Sequence, residues 1–338
     1  MKKEYMFNKV RYAIKELIIF YNRYIKAGIR KNRYNKITKL FGSIIKFLFL
    51  KKPYILIVET GTLCNLDCPT CPTPRQIVVG ARAIKNMDFD SFIKIINNSY
   101  KSFSAVLLYW SNEPLLNKNI AKMVRFCNDL NLHTFISTNV VLLTGNKFKE
   151  LIDAGLDELL VCVDGFSKDT YEPFRKGAKF EIVKRNIENI CRIKRELNAV
   201  NPWIEIQYIE TKENSKEITS CKEWADEIGV DKFRVQSLYI TKHLNDYQKL
   251  REEFYTEKNW EEKNKRNAQK ENKVCRNAES TVCVLVNGQT TICCYDIEGA
   301  FSYGNLLDES FKNITKNKKY SEIRSKGKKH ELSICKKC

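Results

Sequence analysis

The sequence predicts an α/β protein built on a partial (β/α)6 barrel of TIM-like type, with a basic helical N-terminal extension and a small C-terminal β-hairpin/helix domain. Three observations predict it. Between residues 54 and 238, six short β-rich runs (54–59, 104–110, 133–138, 158–163, 203–209 and 232–238) alternate with helical stretches near 88–100, 118–130, 146–154, 180–199 and 215–228. The runs read as continuously apolar, as parallel strands buried on both faces do. Six units in succession fit an open, partial barrel better than a closed eight-unit one. No GxGxxG or GxxxxGK[ST] loop follows any run, which argues against nucleotide binding by those routes.

The first element, residues 1–53, holds 15 Lys/Arg against 2 Asp/Glu, a balance of +13, while the other 285 residues carry +6 of the total +19. Ile37, Leu40, Phe41, Ile44, Ile45 and Leu48 form an apolar stripe at helical spacing, with Lys36, Lys39 and Lys46 off it. Such a helix can lie on an anionic membrane surface, or its stripe can pack on the barrel while the lysines face water; periodicity allows both. The start, MKKEYMFNKVRYAIKEL, lacks the features of a secretory signal, and no apolar run approaches the ~20 residues of a membrane span. A cytoplasmic protein, peripheral at the inner membrane surface at most, is expected. The 338 residues, 43% apolar, suffice for a large core.

The second element, 54–238, carries Cys64, Cys68 and Cys71 as C-x3-C-x2-C directly after its first strand. Thirteen cysteines in a chain expected to stay reduced point to metal or catalysis before disulfides. The segment CNLDCPTCPTP has loop composition, and loops at strand C-termini are where a (β/α) barrel builds its sites. Three thiolates on one loop can ligate three irons of a [4Fe–4S] cluster and leave the fourth open. Cys127, Cys162, Cys191 and Cys221 lie in apparent helices and strands, where core packing is the ordinary role of cysteine.

The third element, 239–274, is charge-dense and reads as a linker or solvated helix. The fourth, 275–338, opens with VCVLVNGQTTICCYD, two β-rich runs about Asn287-Gly288, a hairpin turn signal. Cys275-x12-Gly288-x4-Cys293 followed by Cys335-x2-Cys338 supplies four thiolates, a full set for a closed site. A two-residue turn would set Cys293 opposite Val282 and Cys294 opposite Thr281. Adjacent strand residues point to opposite faces, so one of the pair reaches the site: Cys293 by the Gly-x4-Cys spacing, with Cys294 as its substitute. Four thiolates also suit structural zinc. Asp296 is a candidate proton acceptor, although an Asp after a strand is commonly a turn or cap residue.

ETGTLCNLDCPTC at 59–71 resembles the signature of the radical S-adenosylmethionine (SAM) superfamily. SNEPLLN at 111–117, STN at 137–139 and VCVDGFSKDTYEPFRKG at 161–177 resemble further segments of that family. The resemblance implies that SAM chelates the open iron and is reductively cleaved to methionine and a 5′-deoxyadenosyl radical that abstracts hydrogen from substrate. It implies Asn112, Glu113 and Pro114 at the SAM amine, and Ser137, Asn139, Cys162 and Asp164 in the SAM pocket. Arg175 is the implied partner of the SAM carboxylate, an Arg fork on a carboxylate being charge-matched. The C-terminal spacing resembles the SPASM/twitch auxiliary domain, and the short form implies one further [4Fe–4S] cluster on Cys275, Cys293, Cys335 and Cys338. That cluster would take an electron from the substrate radical.

On this resemblance the expected activity is oxidation, dehydrogenation or epimerisation of a sugar-like, amino-alcohol or lipid-linked glycan substrate, fed by a flavodoxin- or ferredoxin-type reductant. The alternative is a peptide or protein maturase. A third reading, from composition, is a zinc-containing nucleic-acid binder using Tyr12, Tyr21, Tyr24 and Tyr34 among the N-terminal basic residues. No RNA-binding module is evident, so no nucleic acid is expected.

Overall fold

The computed structural model describes residues 36–47 in part, 52–73, 85–240, 242, 244–268 and 274–336. Its strands are β1 (Ile55–Val58), β2 (Ala105–Leu107), β3 (His133–Thr138), β4 (Glu158–Cys162), β5 (Trp203–Glu210), β6 (Lys232–Ser237), β7 (Thr281–Val284), β8 (Gln289–Thr291) and β9 (Gly304–Asn305). They form one sheet in the order β6-β5-β4-β3-β2-β1-β7-β8-β9. The six predicted strands are parallel and in sequence order, the half-barrel arrangement. Leu56, Val58, Val106, Ile136, Leu159, Val161, Ile204 and Ile206 bury one face in a single core.

Helix α1 lies within 36–47. On the core face are α2 (Phe89–Asn97), α3 (Ile120–Asp129), α4 (Gly145–Ala154), α5 (Lys168–Phe174), α6 (Phe180–Glu196) and α7 (Ile218–Glu227). Local chemistry sets several ends. Asp88, Thr144 and Ser167 accept backbone N–H groups at the starts of α2, α4 and α5. Gly155, at φ 82°, ends α4 in the left-handed region. Helix α5, with the sequence KDTYEPF, is not among the predicted helices.

The 239–274 stretch holds α8 (Tyr247–Phe254) and α9 (Glu257–Ala268). It is more than a solvated linker. Leu250 and Phe254, one helical turn apart, join Leu238, Ile240, Leu244 and Tyr255 in an apolar cluster against Phe174. The chain then forms α10 (Arg276–Ser280), the β7–β8 hairpin, α11 (Phe311–Ile314) and α12 (Lys318–Lys328). Strand β7 pairs parallel to β1, Ile55 opposite Thr281, so the C-terminal unit continues the barrel sheet.

Helix α1 packs on the N-terminal side of the strands. Ile44 and Phe47 bury against Tyr54, and the Lys39 ammonium donates to Leu130 O at 3.2 Å. Ile45 is exposed; Ile37, Phe41, Lys46 and Leu48 fall outside the described residues, as do Tyr12, Tyr21, Tyr24 and Tyr34. Lys36 does not face water. Its ammonium lies 2.7 Å from the buried Asp157 carboxylate, which also accepts from Thr134 N and Oγ1. Burial alone would raise Asp157, but His133 and Lys36 outweigh it and hold the carboxyl below its usual range. A depressed folded value stabilises the protein above the unfolded value near ~4, and the contribution is lost as pH falls through the folded value. Lys36→Met, which leaves that carboxylate without its cation, is expected to cost about 3 kcal/mol in urea unfolding at pH 7. No helix among the described residues is long and apolar enough to cross a membrane.

Candidate active site

The C-terminal ends of β1 to β4 surround one cavity. The loop after β1 lines it with Cys64, Cys68 and Cys71. Hydrogen bonds on both flanks fix this loop: Glu113 N donates to Leu63 O at 2.8 Å, and Asp67 N to Lys176 O at 2.8 Å. Cys71 N donates to Cys68 O at 3.1 Å, closing a tight turn that Pro69 and Thr70 suit.

Besides the thiols the cavity is lined by Asn112, Glu113, Ser137, Asn139, Cys162 and Arg175, among others. Six of the eight residues implied by the family resemblance are therefore on its wall. Glu113 is 2% exposed, and its carboxylate accepts from Leu115 N (3.1 Å), Thr138 Oγ1 (2.8 Å) and Asn139 N (2.9 Å). Burial nonetheless pushes its carboxyl above the ordinary value. Pro114 is buried behind it as the first residue of a 3₁₀ turn. The Asn112 side chain is engaged within the protein, donating to Thr60 Oγ1 at 2.9 Å and accepting from Trp110 N at 3.2 Å. Asn139 donates to Asn65 Oδ1 at 2.9 Å, tying the end of β3 to the thiol loop. Ser137 Oγ and Cys162 Sγ touch at 3.5 Å.

Arg175 lies beside the thiol loop. Its Nη1 stands 3.9 Å from Cys68 Sγ, while its Nε and Nη2 pair with the fully buried Asp164. Asp164 is not on the cavity wall; its other oxygen accepts from Ile209 N at 2.7 Å. It aims the guanidinium, a role invisible in a motif that names only the two residues. The cavity thus brings three thiols, a carboxylate and a guanidinium onto one wall lining, a donor set that fits a cysteine-bound cluster and a zwitterionic ligand. Burial lifts the Cys64 thiol to about 11, so it stays protonated until a metal ionises it. Among the described residues, no three His, Cys, Asp or Glu side chains close around a point as a single metal ion requires.

The second cysteine group stands on the C-terminal unit. Cys275 begins α10, Cys335 lies in a 3₁₀ turn, and both are half-buried, as is Cys294; Cys293 is buried. Cys338 lies outside the described residues. The hairpin differs from the two-residue turn expected. Cys283 pairs with Thr291, and Leu285 N donates to Gln289 O, leaving a three-residue loop with Gly288 at φ 83°. This shifts the register by one, and β8 ends at Thr291. Cys293 and Cys294 therefore lie in bends beyond the strand, where alternation of faces does not choose between them.

Asp296 is buried and accepts from Thr291 Oγ1, Ala300 N (3.0 Å) and Phe301 N (2.9 Å), the geometry of a turn cap, which competes with the proton-acceptor role. The link between the two groups is a residue the sequence reading does not single out. Trp110, on the cavity wall, donates its indole N–H to Cys294 O at 2.8 Å. Its place at the end of β2, in the aromatic pair Tyr109-Trp110, is the signal that was available. Trp110→Phe keeps most of the ring and removes this bond. A loss of about 1 kcal/mol in thermal unfolding is expected.

Residues 58–201 match the radical SAM superfamily, and residues 275–338 match SPASM, an iron–sulfur cluster-binding domain. A tungsten-containing aldehyde ferredoxin oxidoreductase cofactor-modifying protein of Pyrococcus furiosus is 25% identical over 185 residues, 54% of this chain and 51% of that protein. A PqqA peptide cyclase of Bradyrhizobium diazoefficiens is 27% identical over 113 residues, 33% of this chain and 29% of that protein. The chain spans about half the length of the first and under a third of the second. Streptococcus suis SuiB bound to its precursor peptide SuiA shares the fold with a TM-score of 0.61 at 16% identity, covering 90% of this chain and 76% of that one.

Proposed function

We propose that this radical SAM superfamily protein with a C-terminal SPASM iron–sulfur domain binds SAM in the cavity between the Cys64–Cys71 loop and Arg175, and uses it to take a hydrogen atom from a peptide or protein substrate. The observation that carries this is the convergence of three thiols, one buried carboxylate and one guanidinium on a single cavity. Cys64, Cys68 and Cys71 would hold a [4Fe–4S] cluster there, which when bound would supply the electron for reductive cleavage of SAM.

The chain's own residues then have separable tasks. Cys64, Cys68 and Cys71 would hold three irons. Arg175, aimed by Asp164, would clamp the SAM carboxylate. Glu113 holds the ends of β2 and β3 together and presents negative charge where the SAM amine would lie. Cys275, Cys293, Cys335 and Cys338 would hold an auxiliary cluster, which Trp110 ties to the cavity wall.

A peptide-type substrate is favoured over the sugar-like one because a peptide cyclase and a precursor-peptide complex stand among the similar proteins. An external one-electron reductant of flavodoxin or ferredoxin type would supply the electron. The test is anaerobic reconstitution with iron and sulfide, then SAM and dithionite. Formation of 5′-deoxyadenosine supports the reading, and its absence with a full iron complement overturns it. Hydrogen transfer from deuterated peptides, set against deuterated sugars, tests the substrate class.

A further inference from the structure

Resting on the reading that a peptide is modified in this half-barrel, we propose that Arg234, with Lys232 beside it, forms a subsite on the inner face of β6 that takes a carboxylate of the substrate. Faces alternate along a strand. In β4, β5 and β6 the residues Leu159, Val161, Ile204, Ile206, Tyr208 and Phe233 pack toward the helices. Cys162, Glu205, Gln207, Lys232 and Arg234 consequently take the inner face.

Register aligns them with the site already described. Cys162 is opposite Gln207, and Gln207 is opposite Arg234, so one rung runs from the cavity wall to the sheet edge. The charge of Arg234 also reaches Tyr109 on that wall. Among the described residues no further strand of the sheet lies beyond β6, and the Arg234 side chain is 41% exposed.

The two cations share one nearby carboxylate. Glu205 lies 2.6 Å from Arg234 Nε and 2.9 Å from Lys232 Nζ. Glu158, on the same face of β4, lies two residues before Leu160, the residue opposite Glu205. Two cations on one carboxylate leave an excess of positive charge on this part of the inner face. Arg234 meets Glu205 through an Nε ion-pair contact without hydrogen-bond geometry and donates Nη2 to Gln207 at 3.2 Å. Of its five donors, those on Nη1 remain for a second acceptor, in the planar fork that matches a carboxylate. If Arg234 only neutralised Glu205, Lys232 would be surplus.

The test is residue-resolved labelling of the reconstituted full chain with phenylglyoxal, read by peptide mass spectrometry, in glutarate, phosphate or chloride at equal ionic strength. Arg234 is expected to react faster than Arg175, which Asp164 holds, and slower in glutarate than in chloride. At a glutarate concentration about twice its dissociation constant the slowing is about threefold. Arg192, exposed on α6, should be unaffected. Equal slowing of Arg192 and Arg234, no slowing of Arg234, or reactivity no greater than that of Arg175 would each overturn the subsite. Protection by phosphate but not glutarate would overturn the carboxylate assignment. The labelling involves no turnover, so its failure leaves SAM cleavage standing, and loss of SAM cleavage leaves the labelling result standing.

Discussion

Replacing Cys64, Cys68 and Cys71 together by alanine is expected to remove about four irons per chain from the reconstituted protein and to abolish 5′-deoxyadenosine formation. The effect on activity should be total because the one other thiol lining the cavity among the described residues, Cys162, cannot replace three ligands. The effect on the fold should be small. The three side chains belong to a loop held by backbone bonds from Asp67 and Glu113, which the substitution leaves in place. Iron and sulfide analysis with circular dichroism checks both halves. Unchanged iron content would remove the first cluster from this loop.

Arg175→Ala should have the largest effect on stability. Asp164 is 0% exposed, and without the guanidinium its charge keeps one hydrogen bond, that from Ile209 N. Stranding a buried carboxylate in this way costs about 4 kcal/mol. Burial already pushes Asp164 above its ordinary value, and Arg175 is what opposes this. In the variant the folded carboxyl therefore titrates above the unfolded one, so the neutral form is the stable one and the penalty grows as pH rises. The gap between wild type and variant should narrow from pH 7.5 to pH 5 in urea unfolding. Arg175→Met with Asp164→Asn should recover most of the stability without restoring SAM cleavage. Recovery of both would reduce Arg175 to a structural ion pair.

The barrel was legible because short β-rich runs alternate with amphipathic helices, and predicted and observed strands agree to within a few residues; β5 and β6 depart from the continuous apolar pattern, alternating apolar residues with Glu205, Gln207, Lys232 and Arg234. The site was legible because its motif residues are contiguous at strand ends. What escaped depends on partners far apart in sequence. Asp164 and Arg175 read as two pocket residues, yet one faces the cavity and the other stands behind it. The Lys36–Asp157 pair joins residues 121 apart, so a helix whose lysines read as solvated turns two of them inward. Helices α8 and α9 hid their apolar positions among charges. The hairpin register failed by a single residue, since Asn-Gly serves a three-residue loop as well as a two-residue one.

The parallel pairing of β7 with β1 also bears on how the chain is made. Ile55 waits for Thr281, 226 residues later (281 minus 55), to complete its hydrogen bonding on that side. At a synthesis rate of about 5–20 residues per second, the gap is roughly 10–45 s. Through that interval the nascent chain presents the unpaired edge of a four-residue apolar strand, Ile55–Val58, in what will become the middle of the sheet. The unit that holds the second cysteine group is thus also the cap on the first strand, and a ribosome paused before residue 281 leaves that edge open to neighbouring chains.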